Sequence, residues 1–222
     1  MLAKVGLQPV EDLTIRGQVL AKLKDYIVSG ELKPDHRLTE QELASSLQVS
    51  RGPLREAIRE LVEIGLIVSI PYKGIFVRSI TRKDLAELYS LRTLLERFAF
   101  QQCWDKRNAH ALRDLQARNN ALIRTVDEGS DAILAIEQEL ILHSWCYELS
   151  DHALLLKTWE RVKPNLKFYF SLHQHAHSRR GPFRQSHDVY VNLACGQELQ
   201  AMLDHLQEHM RQGLEITMDL FP

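Results

Sequence analysis

The sequence predicts a mostly α-helical protein in two parts: a winged helix-turn-helix over residues 1–80 and an all-α antiparallel helical bundle over residues 81–222. Three observations predict this architecture. Two helix starts lie close together within residues 38–67, and two β-branched runs flank a turn within residues 66–79. Beyond these runs, apolar residues recur at three- and four-residue spacing with no further strand pattern, which is typical of packed helices.

The helix-turn-helix is indicated by its capping residues. Thr39 and Glu42 form a capping box, in which the hydroxyl and the carboxylate pair with backbone N–H groups, so the first helix begins at Glu40. Ser50 is a good N-cap for a second helix, and Gly65 offers that helix a C-terminal stop. The two helices are therefore short and are separated by a tight turn.

Similar signals place the neighbouring elements. A helix is expected from about Thr14 to Val28, after a loose arm of residues 1–12 that shows no clear period. The turn at residues 71–74 joins two strands into a hairpin, and Thr81 with Asp84 caps the next helix. A hairpin directly after a helix-turn-helix makes a winged helix.

The rest of the chain is predicted to form six helices. The first of them is expected to direct one apolar stripe at the core, formed by Leu85, Leu88, Leu91, Leu95 and Phe98. A break between helices is expected at residues 173–183, which read HQHAHSRRGPF. Helices of this number and length indicate a bundle.

The polar face of the second motif helix indicates its chemistry. Arg51 and Arg55 are four residues apart and project on one side, and Gly52 leaves room for close approach to another surface. Guanine presents paired O6 and N7 acceptors in the major groove, which a guanidinium matches with two hydrogen bonds. The alternative is a solvated face, in which these arginines and Arg59 pair with nearby acidic residues: Glu56, Glu60 and Glu63.

Residues 30–77 read GELKPDHRLTEQELASSLQVSRGPLREAIRELVEIGLIVSIPYKGIFV, of which the SR-x-P-x-REA-x-x-x-L segment is the most specific part. The run resembles the N-terminal domain of GntR-type bacterial transcription regulators. The resemblance implies that operator DNA is contacted by Ser50, Arg51, Gly52, Arg55, Gln41, Lys73 and Gly74. Gln41 departs from the family because some members have a DNA-contacting Arg there, and Asp35 stands where Gly is usual.

Three further features carry a second resemblance: LYSLRTLLERFA at residues 88–99, ELILHSWCYELSDHALL at residues 139–155, and two histidines 22 positions apart. They resemble the all-helical, metal-binding effector domain, of FCD type, in the FadR subfamily of GntR regulators. The resemblance implies that a divalent metal is held by Glu139, His143, His187 and His209. It also implies that Arg92 binds the effector. Glu139 departs from the family, in which Asp or Asn is usual at this position.

The residue types fit that metal site. Glu139 and His143 share one helix face, and neutral imidazoles with a carboxylate suit Zn²⁺, Ni²⁺ or Mn²⁺. Such a ligand set leaves coordination positions open for a small carboxylic acid, whose other end Arg92 would hold. Two alternatives stay open: His205 competes with His209 as a ligand, or the histidines are packed, hydrogen-bonded core residues.

Composition restricts the class of protein. The 222 residues carry a net charge of −1, so DNA binding would depend on well-placed cations and on a homodimer that doubles the contacts. Cys103, Cys146 and Cys195 are odd in number and lack CxxC spacing, which suits free thiols in a reducing cytosol. No run of 18 apolar residues and no signal pattern occurs, so we expect a cytoplasmic protein that does not enter a membrane.

These observations lead to one hypothesis and its alternatives. The hypothesis is a homodimeric repressor or activator, not an enzyme, that reads a palindromic operator and changes its DNA affinity when a small carboxylic acid binds near the metal. One alternative is a metal-dependent, hydrolase-like enzyme that uses the histidine cluster. Others are a DNA-binding regulator with no metal, and a helical domain that serves dimerisation alone.

Overall fold

The computed structural model describes residues 14–129, 131–177 and 184–218, with the backbone alone at residues 173–177 and 184–185. The described residues form nine α-helices, one short 3-10 helix and a three-stranded sheet, which confirms the predicted fold class. The arm predicted at residues 1–12 lies outside them. The domain boundary predicted near residue 80 stays a prediction.

The N-terminal elements form the predicted winged helix. They are α1 (Ile15–Val28), β1 (Arg37–Leu38), α2 (Glu40–Leu47), α3 (Arg51–Ile64), β2 (Ile67–Ile70) and β3 (Gly74–Val77). The Thr39 hydroxyl accepts a hydrogen bond from the Glu42 N–H at the start of α2, which is one of the two bonds of the predicted capping box; the Glu42 carboxylate accepts from the Thr39 hydroxyl and not from the Thr39 N–H. Gly65 ends α3 at a φ of 89°, a left-handed conformation that glycine adopts without a Cβ clash.

The sheet contains a strand that the sequence did not predict. β1 pairs antiparallel with β3, which gives the strand order β1-β3-β2. Two residues are too few to show an alternating pattern, so this pairing depends on partners far away in sequence. Asp35, just before β1, has a φ of 61°, and this left-handed conformation gives a physical reason for the glycine expected there.

The C-terminal elements are α4 (Arg82–Cys103), a 3-10 turn (Trp104–Lys106), α5 (Ala109–Asp127), α6 (Ala132–Leu149), α7 (Ala153–His177), α8 (Arg184–Cys195) and α9 (Leu199–Met218). The break predicted at residues 173–183 is wrong for residues 173–177, because α7 continues to His177. The helix-breaking residue types, Gly181 and Pro182, come later in the sequence. Residues 178–183 of that prediction lie outside the described residues. None of the described helices is long and apolar enough to cross a lipid bilayer.

The buried face of α4 includes only part of the predicted stripe: Leu85 is buried, and Leu88 and Leu95 pack partly against the core. Leu91 and Phe98 are exposed. The buried face consists of Leu85, Tyr89, Arg92, Glu96, Ala99, Phe100 and Cys103. These residues also recur at helical spacing. A search for apolar residues alone does not identify this face, because it includes the ion pair of Arg92 and Glu96. As a result, α4 brings two charged side chains into the bundle.

The winged helix packs against the bundle along α7. Phe168 and Tyr169 of α7, with Leu85 of α4, are buried in the same apolar cluster as the core of the winged helix. The Asn165 side-chain amide donates a hydrogen bond to the carbonyl of Ile64, at the C-terminal end of α3, at 2.8 Å. α7 therefore contacts the helix that carries the two arginines.

Candidate DNA-contacting surface and metal centre

The N-terminal end of α3 is open to solvent. Arg51 and Arg55 are both exposed, and an added Cβ at Gly52 would meet nothing within 4 Å. The opposite face of the helix is buried through Leu54, Ala57, Ile58 and Leu61. Both guanidinium groups therefore project away from the protein core, as the sequence predicts.

Arg55 has a partner outside its own helix. Its Nε donates to Glu40 Oε2 at 2.7 Å, yet the Arg55 side chain is still 55% exposed. The pair joins α2 to α3. The alternative considered from the sequence was that Arg55 pairs with acidic residues of α3 itself. One of those residues, Glu60, pairs with Arg16 of α1 instead. The Arg51 guanidinium makes no hydrogen bond or ion pair with any residue that the structure describes.

The other residues predicted to contact DNA lie at the surface. Ser50 is the exposed N-cap of α3, and its hydroxyl makes no capping hydrogen bond. Gln41 is exposed on the first turn of α2, and Lys73 is exposed in the hairpin turn. Gly74 has a φ of 116°, and an added Cβ would lie 3.3 Å from the Nε of Arg37. Gly74 thus shapes the turn that presents Lys73.

Three histidines from three helices converge inside the bundle. His143 lies on α6, His187 on α8 and His209 on α9, and one ligand atom from each lies within 4.8 Å of the other two. The Nε2 atoms of His143 and His187 are 3.4 Å apart. The fold therefore brings together the three histidines that were predicted to be ligands.

Two further side chains border this histidine cluster. Glu139 lies one turn before His143, and its Oε1 is 3.7 Å from His187 Nε2, so the longer side chain still reaches the cluster. The ring centroids of His205 and His209 are 5.7 Å apart. His205 is not among the three convergent ligands of the described residues, although its Nε2 is buried with no hydrogen-bond partner there.

The protonation states of the cluster suit a bound cation. Burial holds the pKa of His143 well below its usual range, and the nearby charge of Arg92 adds to the effect. Burial and the neighbouring His143 do the same to the pKa of His209. Burial is the largest single effect on Glu139 and opposes its ionisation, but hydrogen bonding to His187 and the nearby charges, taken together, outweigh burial and lower the Glu139 pKa. Neutral imidazoles and a carboxylate are the forms that bind metals.

α4 places a charged pair beside the histidines. Arg92 and Glu96 are both buried, with 3.5 Å between Arg92 Nε and Glu96 Oε2. Nε and Nη2 of Arg92 have no hydrogen-bond partner among the described residues. Arg92 was predicted as a site residue, whereas Glu96 was not. The available signal was the helical spacing of Tyr89, Arg92, Glu96 and Ala99 on one face.

The chain joins a winged helix with outward-facing arginines to a helical bundle with three histidines that could hold a metal ion. This is the architecture of a two-domain transcription regulator. Comparison with protein families agrees. Residues 15–77 match the bacterial regulatory proteins of the gntR family, and residues 87–212 match the FCD domain. The chain belongs to the GntR family of transcription regulators and carries an FCD domain, as in the FadR-like subfamily.

Individual relatives extend over most of the chain. The Nta operon transcriptional regulator of Aminobacter aminovorans is 32% identical over 85% of this chain and 90% of its own. The gluconate operon transcriptional repressor of Bacillus subtilis is 26% identical over 82% of this chain and 72% of its own. The structure of Escherichia coli McbR/YncC matches with a TM-score of 0.77 at 20% identity, over 94% of this chain and 99% of that one. The structural match shows the shared fold.

Proposed function

We propose that this regulator binds a palindromic operator as a homodimer, and that a small carboxylic acid bound near a divalent metal changes its DNA affinity. The observation that carries the proposal is the exposed pair of arginines at the start of α3. Recognition helices present their N-terminal residues to base edges, so Arg51 and Arg55 would read guanines. Ser50, Gln41 and Lys73 would contact DNA around them. We expect such a regulator to be located in the cytoplasm, because the operator DNA that it would bind is located there.

A homodimer is supported by charge and by an exposed apolar face. The net charge of −1 implies that one winged helix alone binds DNA weakly. Leu94 on α4 is 66% exposed, beside the exposed Leu91 and Phe98, and Leu154 at the start of α7 is 69% exposed. The ring of Phe98 packs edge to face against the ring of His152, just before α7, with 5.6 Å between the ring centroids, so the exposed residues of α4 lie near the start of α7. An apolar face of this kind is typical of an interface between subunits.

The effector site is proposed between Arg92 and the histidine cluster. Zn²⁺, Ni²⁺ or Mn²⁺ would be held by Glu139, His143, His187 and His209, with coordination positions left for a carboxylate oxygen. Buried donors are rarely left without hydrogen-bond partners. Nη2 of Arg92 has none among the described residues, and Nε has only the ion pair with Glu96, so both nitrogens support an anionic ligand at this place. Both relatives compared above are named regulators of operons, which favours this function over a hydrolase.

α7 provides a physical connection from the effector site to α3. The Arg92 guanidinium carbon lies 5.8 Å from the centre of the Phe170 ring. Two residues earlier, Phe168 is buried in the core of the winged helix, and Asn165 bonds to the end of α3. A ligand that moves Arg92 would therefore change how α3 is held and shift the population of DNA-competent molecules. The relative named a repressor favours repression as the output.

Operator binding with and without ligands tests this proposal. Genome fragments captured by the protein supply the operator, and fluorescence anisotropy measures its affinity with Zn²⁺, with a chelator, and with a panel of small carboxylic acids. We expect one acid to change the affinity by about 5–150-fold, the usual range of coupling between sites, and to lose its effect after chelation. Operator binding that neither acids nor chelator alter would favour a regulator without a metal.

Glu40→Gln is expected to strengthen DNA binding. The change releases Arg55 from its ion pair and removes a negative charge near the proposed DNA surface. An exposed ion pair is worth about 0–1 kcal/mol, so affinity should rise by up to roughly fivefold for each DNA-bound subunit in an anisotropy titration. Glu63→Gln removes the same charge at the exposed far end of α3 and is the matched control. An equal gain in both variants would mean that net charge, not Arg55, is responsible.

A further inference from the structure

A buried carboxylate lies between the proposed metal ligand His143 and the proposed effector contact Arg92. Glu96 is fully buried, and its two oxygens have different neighbours. Oε1 lies 2.6 Å from His143 Nδ1 and accepts a hydrogen bond from the Tyr190 hydroxyl at 2.9 Å. Oε2 lies 3.5 Å from Arg92 Nε. One side chain thus contacts both halves of the proposed effector site.

The contact with Oε1 determines which ring nitrogen of His143 carries a proton. The contacts of Glu96 with Arg92 and the Tyr190 hydroxyl favour its carboxylate form, which accepts hydrogen bonds, and a neutral imidazole paired with that form carries its proton on Nδ1. The lone pair is then on Nε2, the nitrogen that lies 3.4 Å from His187 Nε2 inside the cluster. The other tautomer would lose the bond to Glu96 and would place a proton where a metal must bind.

We propose that Glu96 is a positioning residue that fixes the tautomer and the ring orientation of His143 for metal binding. The inference rests on the metal site of the proposed function and assigns a role to a residue outside the ligand set. The competing explanation is that Glu96 only balances the buried charge of Arg92. The two explanations differ in what they require of the imidazole, because charge balance does not depend on where its proton lies.

Metal affinity of the full-length protein tests the proposal, with Zn²⁺ alone as the probe. Glu96→Gln keeps the size of the side chain, but its amide can donate to Nδ1 and so select the tautomer that has its proton on Nε2. Loss of such a partner typically lowers metal affinity by about 10–100-fold, and we expect this fall in competition with a chromophoric chelator. Tyr190→Phe removes the other hydrogen bond to the same oxygen and should leave the affinity near wild type.

A second measurement needs no metal. Two-bond nitrogen-15 correlations in the metal-stripped protein report which nitrogen of His143 is protonated. We expect Nδ1 in the wild type and in Tyr190→Phe, and a shift towards Nε2 in Glu96→Gln. The wild-type spectrum still tests the proposal if Glu96→Gln does not fold, because protonation of Nε2 there would overturn it.

Two outcomes would overturn the proposed role of Glu96 but not the proposed metal centre: Nε2 protonation of His143 in the wild type, or wild-type Zn²⁺ affinity in Glu96→Gln. A wild-type protein that binds no Zn²⁺ would overturn the metal centre of the proposed function, and this inference with it.

Discussion

Arg55→Ala is expected to abolish specific operator binding and leave the protein folded. The side chain is largely exposed, and its contact with Glu40 is a surface ion pair, so its removal costs the fold little. An arginine that reads a guanine contributes about 1–3 kcal/mol, and a symmetric dimer loses that contact twice. The expected loss is therefore roughly 2–6 kcal/mol of specific binding free energy per dimer.

Anisotropy titrations against operator and scrambled duplexes, at several salt concentrations, measure this loss. Wild-type affinity should fall steeply with salt, because phosphate contacts release counterions. Arg55→Ala should lose its preference for the operator, whereas Lys73→Ala should weaken binding to both duplexes alike. Arg59→Ala, exposed one turn further along α3, is the matched control and should keep the preference. A flat salt response, or an intact preference in Arg55→Ala, would count against the regulator mechanism.

His209→Ala is expected to eliminate metal binding. It removes one of three imidazoles that converge within 4.8 Å, and the remaining two come from α6 and α8. Loss of a direct ligand should exceed the roughly 10–100-fold cost of losing an outer partner. A bound metal also stabilises the fold, by about 2.7 kcal/mol when the free metal is at 100 times its Kd. The variant should therefore lose the metal-dependent rise in Tm.

Elemental analysis and thermal unfolding, with and without chelator, check this prediction. His110→Ala is the matched control, because His110 is exposed at the start of α5. The control should keep both the metal content and the chelator-sensitive Tm of the wild type. Equal metal content in His209→Ala and the wild type would exclude the proposed ligand set.

The parts of the fold that local chemistry determines could be predicted closely. Thr39 and Thr81 cap α2 and α4 as expected, since each cap depends on a partner three residues away. Gly65 ends α3 because the left-handed conformation is a local requirement. β1 was missed because its two residues become a strand only by pairing with β3, about 38 residues further along the chain.

The candidate site was predictable in its residue types but not in its arrangement. His143, His187 and His209 were identified through spacing and resemblance, yet their convergence depends on the packing of α6, α8 and α9. Glu96 was missed because a charged residue four positions after Arg92 resembles a solvated helix pair. It is buried because α4 directs its charged face at the histidines. Of the predicted stripe, Leu85 is buried, whereas Leu91 and Phe98 are exposed and would be covered by a second copy in the proposed dimer.

Guanine methylation interference on the operator tests most directly whether Arg51 and Arg55 read DNA. A methyl group on N7 blocks the major-groove acceptor that either guanidinium would use. For the wild type we predict two clusters of interfering guanines, related by two-fold symmetry and about one helical turn apart; Arg55→Ala, which should bind the operator only non-specifically, should show neither cluster. Absence of interference in the major groove, or a pattern that Arg51→Ala and Arg55→Ala leave unchanged, would contradict the claim that these arginines recognise the operator.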